Sequence, residues 1–187
     1  LLLRKYCRGR GAAGAAGFKK SLEFNPDFIL EMDADFSHNP IFIRQMIEKI
    51  QNNDIDVVLG SRYMPGGKDI ERGFHRRIIS FLARKYLIFV LGLKVSDPTT
   101  GYRIYRKKVI EQIVHKLTSS DPFTVTEVLF ICHKHAFKIS EIPIEFEDRK
   151  KGISKLNFFI LIKYIWRVIY LRFSINDLAL KKERFSE

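Results

Sequence analysis

The chain has 187 residues, of which 46% are hydrophobic, and a net charge of +12. That length holds one domain with a sizeable core, and the apolar share excludes a disordered chain. The positive balance calls for an anionic partner, whether phosphorylated substrate, phospholipid or nucleic acid, without choosing among them.

Two cysteines, Cys7 and Cys132, stand far apart. They form neither a disulfide framework nor a Cys-x-x-Cys metal site, and they fit a reducing, cytosol-facing compartment as small buried hydrophobes. The first residue is Leu1, and no charged-then-apolar signal peptide follows it.

The alanine- and glycine-rich stretch from Gly11 to Leu22 predicts a close-packed helix, broken at Asn25-Pro26. Phe28–Met32 predicts a buried strand that ends in acids. Asn39-Pro40 opens a helix to about Asn52, with Ile43, Met46, Ile47 and Ile50 on its apolar side. Ile55–Leu59 is the next strand, and Gly66-Gly67 marks a flexible loop. Arg76–Leu93 predicts a helix that is apolar over most of its circumference. After the Asp97-Pro98 turn come a strand at Tyr102–Tyr105 and helices at Lys107–Leu117 and Phe123–Lys134. Ile139–Phe146 is a strand whose Pro143 points to an edge position. Strands alternating with helices predict an α/β sandwich with a mainly parallel sheet.

Asp33-Ala34-Asp35 directly follows the first strand. In open α/β sheets ligands gather at the carboxyl ends of strands. Two carboxylates one residue apart suit Mg²⁺ or Mn²⁺, the hard cations that also bind diphosphates. Taken alone, the pair also reads as a helix cap ahead of Pro40.

The wider context is more specific. Met32-Asp33-Ala34-Asp35-Phe36-Ser37-His38-Asn39-Pro40 resembles the metal loop of dolichol-phosphate mannose synthases, within the family 2 glycosyltransferases. Arg8-Gly9-Arg10-Gly11-Ala12-Ala13 and Gly17-Phe18-Lys19 resemble the helix before that loop. Gly60-Ser61-Arg62-Tyr63 with Gly66-Gly67 is similar to the family's phosphate-side arginine loop. Asp97-Pro98-Thr99-Thr100-Gly101-Tyr102-Arg103 resembles another of its segments, and Arg149, Gly152 and Ser154-Lys155-Leu156 its R-x-x-G-x-SKL element.

The resemblance implies a nucleotide-sugar-transferase fold of GT-A type, a three-layer sandwich. It also implies an opening nucleoside-binding strand ahead of Leu1, so the domain reads as N-terminally truncated, with residues 1–155 catalytic and 156–187 an apolar helix and tail. The implied reaction moves a sugar, mannose from GDP-mannose first, onto dolichyl or polyprenyl phosphate with inversion. Ile165-Trp166-Arg167 lacks the glutamine of processive synthases, which disfavours polymer synthesis. Ser37 stands where some relatives carry a metal-binding glutamine.

In that reading Asp33 and Asp35 hold Mg²⁺ or Mn²⁺, with Asp35 the first ligand. Arg10 and Arg62 bind donor phosphates. Arg77, Arg149, Ser154 and Lys155 bind the acceptor phosphate. Arg103 acts near the reacting centre or pairs with Asp97 as scaffold, and Glu127 touches a sugar hydroxyl or is a solvated or capping residue. A phosphate monoester has its second pKa near about 6, so a general base is less needed than for a hydroxyl acceptor.

Residues 156–173 are nearly all apolar or aromatic, with Lys163, Arg167, Tyr170 and Ser174 on one stripe. Such a stretch fits a helix lying in a membrane interface, or one packed in the core, better than a span. The expected partners are a nucleotide-sugar, a polyprenyl phosphate and a membrane surface at the cytosolic face, and no nucleic acid. Competing readings are another non-processive family 2 transferase and a non-catalytic basic module for anionic lipid or nucleic acid.

Overall fold

The computed structural model describes residues 9–70, 74–147 and 162–174, with the main chain alone at 74–77 and 147. Six strands are formed by these residues: β1 (Phe28–Glu31), β2 (Val57–Ser61), β3 (Lys68–Ile70), β4 (Arg103–Arg106), β5 (Ile139–Pro143) and β6 (Glu145–Glu147). The helices are α1 (Arg10–Leu22), α2 (Ile43–Ile50), α3 (Phe74–Leu91), α4 (Lys107–Ile113), α5 (Thr124–Lys134) and α6 (162–174).

Local chemistry explains where these elements begin and end. α1 carries Lys19 and Lys20 in its last turn, where the helix dipole favours cations. The Asn39 side chain accepts from the Ile41 amide at 3.0 Å, and Pro40 begins a short 3₁₀ turn that runs into α2. The Arg106 guanidinium donates to the carbonyls of Ile50, Asn52 and Ile55, which gathers the orphan carbonyls at the end of α2.

The main sheet has the order β1-β4-β2-β5. β1 and β2 each pair antiparallel with β4, and β2 pairs parallel with β5. β1, β2 and β5 therefore share one direction, as expected of a mainly parallel sheet, and β4 is the reversed strand between β1 and β2. β5 is an edge strand, where Pro143 costs no ladder bond.

Alternate residues of each strand enter two cores, which makes the three layers. On one face Ile29, Val57, Leu59 and Tyr105 pack with Phe18 of α1, Leu87 and Leu91 of α3, Ile110 of α4, Leu129 of α5, and Val168 and Leu171 of α6. On the other, Val58, Ile104 and Ile142 pack with Met46 and Ile50 of α2. Cys132 is buried in the first core, and burial pushes its thiol up to about 12, a small inert hydrophobe.

The segment expected as a flexible glycine loop is a structured turn. Gly67 donates to the Met64 carbonyl at 2.9 Å, and β3 follows at once, paired parallel with β6. Lys68-Asp69-Ile70 is too short and too polar to announce a strand, and β3 exists because β6 supplies its hydrogen bonds.

Helix α6 has three stripes rather than two. Tyr164, Val168 and Leu171 face the core, and the Tyr86 hydroxyl of α3 donates to the Ile165 carbonyl at 2.9 Å. Arg167 turns inward, bonding the Asp121 carboxylate and the Ser119 hydroxyl above the Phe123 ring. Trp166, Tyr170 and Phe173 stay 67%, 74% and 64% exposed. Ile78, Phe81, Leu82 and Phe89 of the adjoining α3 are exposed as well. Among the described residues no helix is long and apolar enough to cross a membrane.

Candidate active site

Because β1, β2 and β5 run the same way, their carboxyl ends meet the amino end of β4 at one edge of the sheet. The acid turn after β1, the Arg62 loop after β2, the Asp97–Tyr102 segment before β4 and the β5–β6 junction all come together there. This is the edge at which open α/β sheets bind ligands.

Asp33 and Asp35 are both half-buried on that turn. Asp35 Oδ1 accepts from the Ser37 amide at 3.2 Å and the Ser37 hydroxyl at 2.5 Å. Phe36 closes the turn with φ +66° and a phenyl ring that is 93% exposed. A bulky residue in that region is unusual and costs strain of roughly 1 kcal/mol or more.

Arg10, the first residue of α1, reaches across to Asp33 Oδ1 at 2.8 Å. Gly101 lets it through, since a Cβ there would lie 2.2 Å from the Arg10 Nη2. The amino end of α1 is itself seated by close approach: the Ala12 amide donates to the Ser120 carbonyl, and a Cβ on Gly11 would collide with the Ser119 and Asp121 carbonyls.

The second arginine is differently placed. Arg62 is 7% exposed and Asp97 fully buried. Arg62 donates from Nε to Asp97 Oδ2 at 2.7 Å and from Nη2 to Asp97 Oδ1 at 3.0 Å, with a further bond to the Thr99 hydroxyl. Burial alone would raise the Asp97 carboxyl, but its bonds to Arg62 and Thr99 outweigh that and hold it below the usual carboxylate value. Asp97 likewise keeps the buried Arg62 guanidinium above its ordinary value. Glu141 of β5 accepts from the Ser96 and Asp97 amides at 2.7 and 3.0 Å and sets the height of this turn.

Arg103 does not pair with Asp97, because Arg62 occupies both carboxylate oxygens. It is fully buried beneath the site, donating to the Val125 and Pro98 carbonyls and so bracing the Asp97 turn against α5. Glu127 is 3% exposed and accepts from the Thr118 amide and hydroxyl and the Ser119 amide, which holds the loop ahead of α5. The structure thus brings Arg10, Asp33, Asp35 and Arg62 to one edge and sets Arg103 and Glu127 behind it as supports. Arg77 falls where only the main chain is described, and Arg149, Ser154 and Lys155 lie outside the described residues.

His38, Tyr102 and Phe146 were not singled out by their sequence. The His38 ring, 3% exposed, stacks on Tyr102 at 4.9 Å and meets the edge of Phe146 at 5.8 Å, and its Nδ1 accepts from the Asp33 amide at 2.9 Å. Burial lowers its pKa, with Arg10 and Arg62 adding to the effect against Asp33 and Asp35. Only the placement of His38 inside the acid motif could have hinted at this.

Among the described residues no group of three or more His, Cys, Asp or Glu side chains converges on a metal position. Two half-buried carboxylates fit a hard divalent cation that takes its other oxygens from water and a diphosphate, as Mg²⁺ commonly does.

Comparison with known proteins agrees with this architecture. Over 150 residues the chain is 34% identical to polyprenol monophosphomannose synthase of Mycolicibacterium smegmatis, covering 80% of this chain and 56% of that protein. It is 35% identical to undecaprenyl-phosphate mannosyltransferase of Micrococcus luteus, covering 80% of this chain and 61% of that protein. The chain therefore spans somewhat over half the length of the curated relatives it matches. The crystal structure of glucosyl-3-phosphoglycerate synthase from Mycobacterium tuberculosis with Mn²⁺, UDP-glucose and phosphoglyceric acid superposes with a TM-score of 0.55 over 93% of this chain and 56% of that one. At 17% identity this likeness shows the fold, a GT-A-like glycosyltransferase sandwich. The profile of glycosyl transferase family 2 matches residues 2–114, and the chain belongs to that family.

Proposed function

We propose that the protein containing this chain transfers mannose from a nucleotide-sugar, GDP-mannose first, to polyprenyl phosphate at the cytosolic face of a membrane. The observation that carries this reading is the half-buried Asp33–Asp35 turn with the Arg10 guanidinium 2.8 Å from Asp33. It sits in a chain whose curated relatives are named for mannosyl transfer involving polyprenyl phosphates.

A phosphate oxygen of the acceptor attacks the sugar C1 from the face opposite the nucleotide. The C1–oxygen bond to the diphosphate breaks with inversion, and the nucleoside diphosphate leaves. When bound, Mg²⁺ or Mn²⁺ neutralises the diphosphate and the charge that grows on it. Asp35 and Asp33 would hold that cation, in keeping with the Mn²⁺ of the solved neighbour.

Arg10 can exchange Asp33 for a diphosphate oxygen, because its ion pair is open to solvent. Arg62 has Nε and Nη2 committed to Asp97 and Thr99, which leaves a donor-phosphate role to Nη1. Arg77, Arg149, Ser154 and Lys155 are assigned to the acceptor phosphate from the sequence.

The lipid acceptor is favoured over a soluble one by the aromatic face of α6 and α3, with Lys85 and Lys163 exposed beside it. An exposed apolar patch rimmed by cations suits an anionic bilayer surface.

The test is the full-length protein with radiolabelled GDP-mannose, undecaprenyl phosphate and Mn²⁺. Label should pass into solvent-extractable lipid and stop doing so with EDTA. Label that reaches only a water-soluble acceptor such as phosphoglycerate overturns the lipid reading. Trp166 is the one tryptophan of the chain. Its emission, taken as the difference between the parent and Trp166→Phe, should shift to the blue on anionic vesicles, and an unchanged difference spectrum removes the membrane surface.

A further inference from the structure

We infer that His38 is a positioning residue that fixes the acid turn by accepting the Asp33 amide hydrogen, an inference that rests on Asp33 and Asp35 being the cation's ligands. Later in the turn the Asp35 carboxylate is held by the Ser37 amide and hydroxyl, and His38 bonds the main chain at its first residue. Asp33 stands two residues beyond Glu31, the last residue of β1, and the exposed Phe36 adopts a strained φ of +66°. A hydrogen bond to the Asp33 amide sets the peptide plane from which the carboxylate projects.

His38 can hold that plane because the ring itself is held on several sides. Tyr102 lies against one face, with interplanar angle 17°, and Phe146 meets it at 63°. The main chain at His38 forms a β-bridge with Phe146. Tyr102 is tied to the same stretch, since its hydroxyl donates to the Asn39 carbonyl at 3.1 Å. The acid turn, the start of β4 and the β5–β6 junction thus meet through one imidazole.

An imidazole offers what the neighbouring aromatics cannot. With Nδ1 accepting from the Asp33 amide, the proton of the neutral ring is on Nε2. A phenyl ring could fill the same stack but would leave the Asp33 amide without its partner. Asparagine would lose the stack yet carry an oxygen near the position of Nδ1. Groups that orient metal ligands from behind typically govern metal affinity by about 10- to 100-fold.

The experiment compares the full-length parent with His38→Phe, His38→Asn and Asp35→Ala. Mn²⁺ binding is read by electron paramagnetic resonance, with the metal alone and with GDP. His38→Phe should weaken Mn²⁺ binding by about tenfold, and His38→Asn should recover most of that loss. His38→Phe binding like the parent, or both variants falling together, overturns the inference, because packing would then be the whole role.

A second measurement needs no substitution. In nitrogen NMR of the parent, His38 should be the Nε2–H tautomer with a scalar coupling across the Asp33 N–H···Nδ1 bond. An Nδ1–H tautomer overturns the assignment whatever the variants do. Asp35→Ala binding Mn²⁺ like the parent would instead sink the cation reading, an outcome that the NMR measurement keeps separate from the hydrogen bond.

Discussion

Two aspartate–arginine pairs lie at the same edge of the sheet and are built for different work. Arg62 and Asp97 are 7% and 0% exposed and joined by two side-chain bonds, with Thr99 and Glu141 completing the surroundings. Arg10 and Asp33 are 37% and 27% exposed and share a single bond of 2.8 Å. A buried pair is costly to break, because the charge left behind has no water to replace its partner. An open pair is screened and contributes about 0–1 kcal/mol. The chemistry of the two pairs is the same, and burial makes the first a clamp and the second an exchangeable contact. In the proposed reaction a diphosphate entering this edge would meet both a fixed frame and a cation free to change partners.

The comparison breaks most visibly at the clamp. Asp97→Ala should destabilise the protein by about 3–5 kcal/mol, since Arg62 is left as an unpaired buried charge. Denaturant unfolding measures it, and a loss below about 1 kcal/mol would place this pair in the same class as the open one.

Acid sharpens the same contrast. The folded Asp97 carboxyl titrates below its ordinary value of 3.8. Its stabilisation is therefore fully present above that value and is lost as pH falls through the lower folded one. Unfolding curves collected down through the acid range should show this loss in the parent and not in Asp97→Asn. Identical acid slopes would contradict it.

Arg10→Ala is expected to leave stability within about 1 kcal/mol of the parent, while Mn²⁺ alone binds more tightly because Asp33 loses its competitor. At the same time the KM for the nucleotide-sugar should rise. A loss of stability matching that of Asp97→Ala would make the pair a clamp after all.

The smallest effect is expected at Phe36. Asparagine accepts its left-handed backbone more readily, so Phe36→Asn should be neutral or stabilising by up to about 1 kcal/mol. A clear destabilisation in thermal unfolding would mean that the exposed ring has a partner on another segment.

Much of this was legible from local pattern. The Ala/Gly-rich helix, the strand ahead of Asp33, the edge position of Pro143 and the acid turn all follow from side-chain period, breakers and the alternation of strand and helix, whereas the expected strand Ile139–Phe146 is divided into β5 and β6 in different sheets. Strand β3 was not legible, since three residues become a strand only when β6 lies beside them.

The partner of Asp97 was equally hidden. From the sequence Arg103 was offered as that partner and Arg62 was given to a donor phosphate, and the pairing depended on which side of the sheet each one entered. Arg103 alternates into the core beneath β4, while Arg62 leaves the end of β2 on the level of the turn. A sequence period says which residues share a face, not which neighbour that face will meet.

By itself the sequence determined most of the element types, β3 excepted, the carboxylates at the end of β1 and the basic, apolar character of the chain, all of which depend on residues near one another. Only the tertiary structure decided which arginine is buried against its aspartate and which stays open, that Glu127 and Arg103 bond main-chain groups behind the edge, and that the His38 ring accepts from the Asp33 amide. It also separated the core stripe of α6 from the exposed one, because Arg167 turns toward Asp121 and leaves Trp166, Tyr170 and Phe173 outward. Most of those outcomes depend on burial and on partners far off in the chain, as with Arg10 and Asp33, 23 residues apart, or Tyr86 and Ile165, 79 apart. Burial converts one pair of charges into structure and leaves its twin open to solvent.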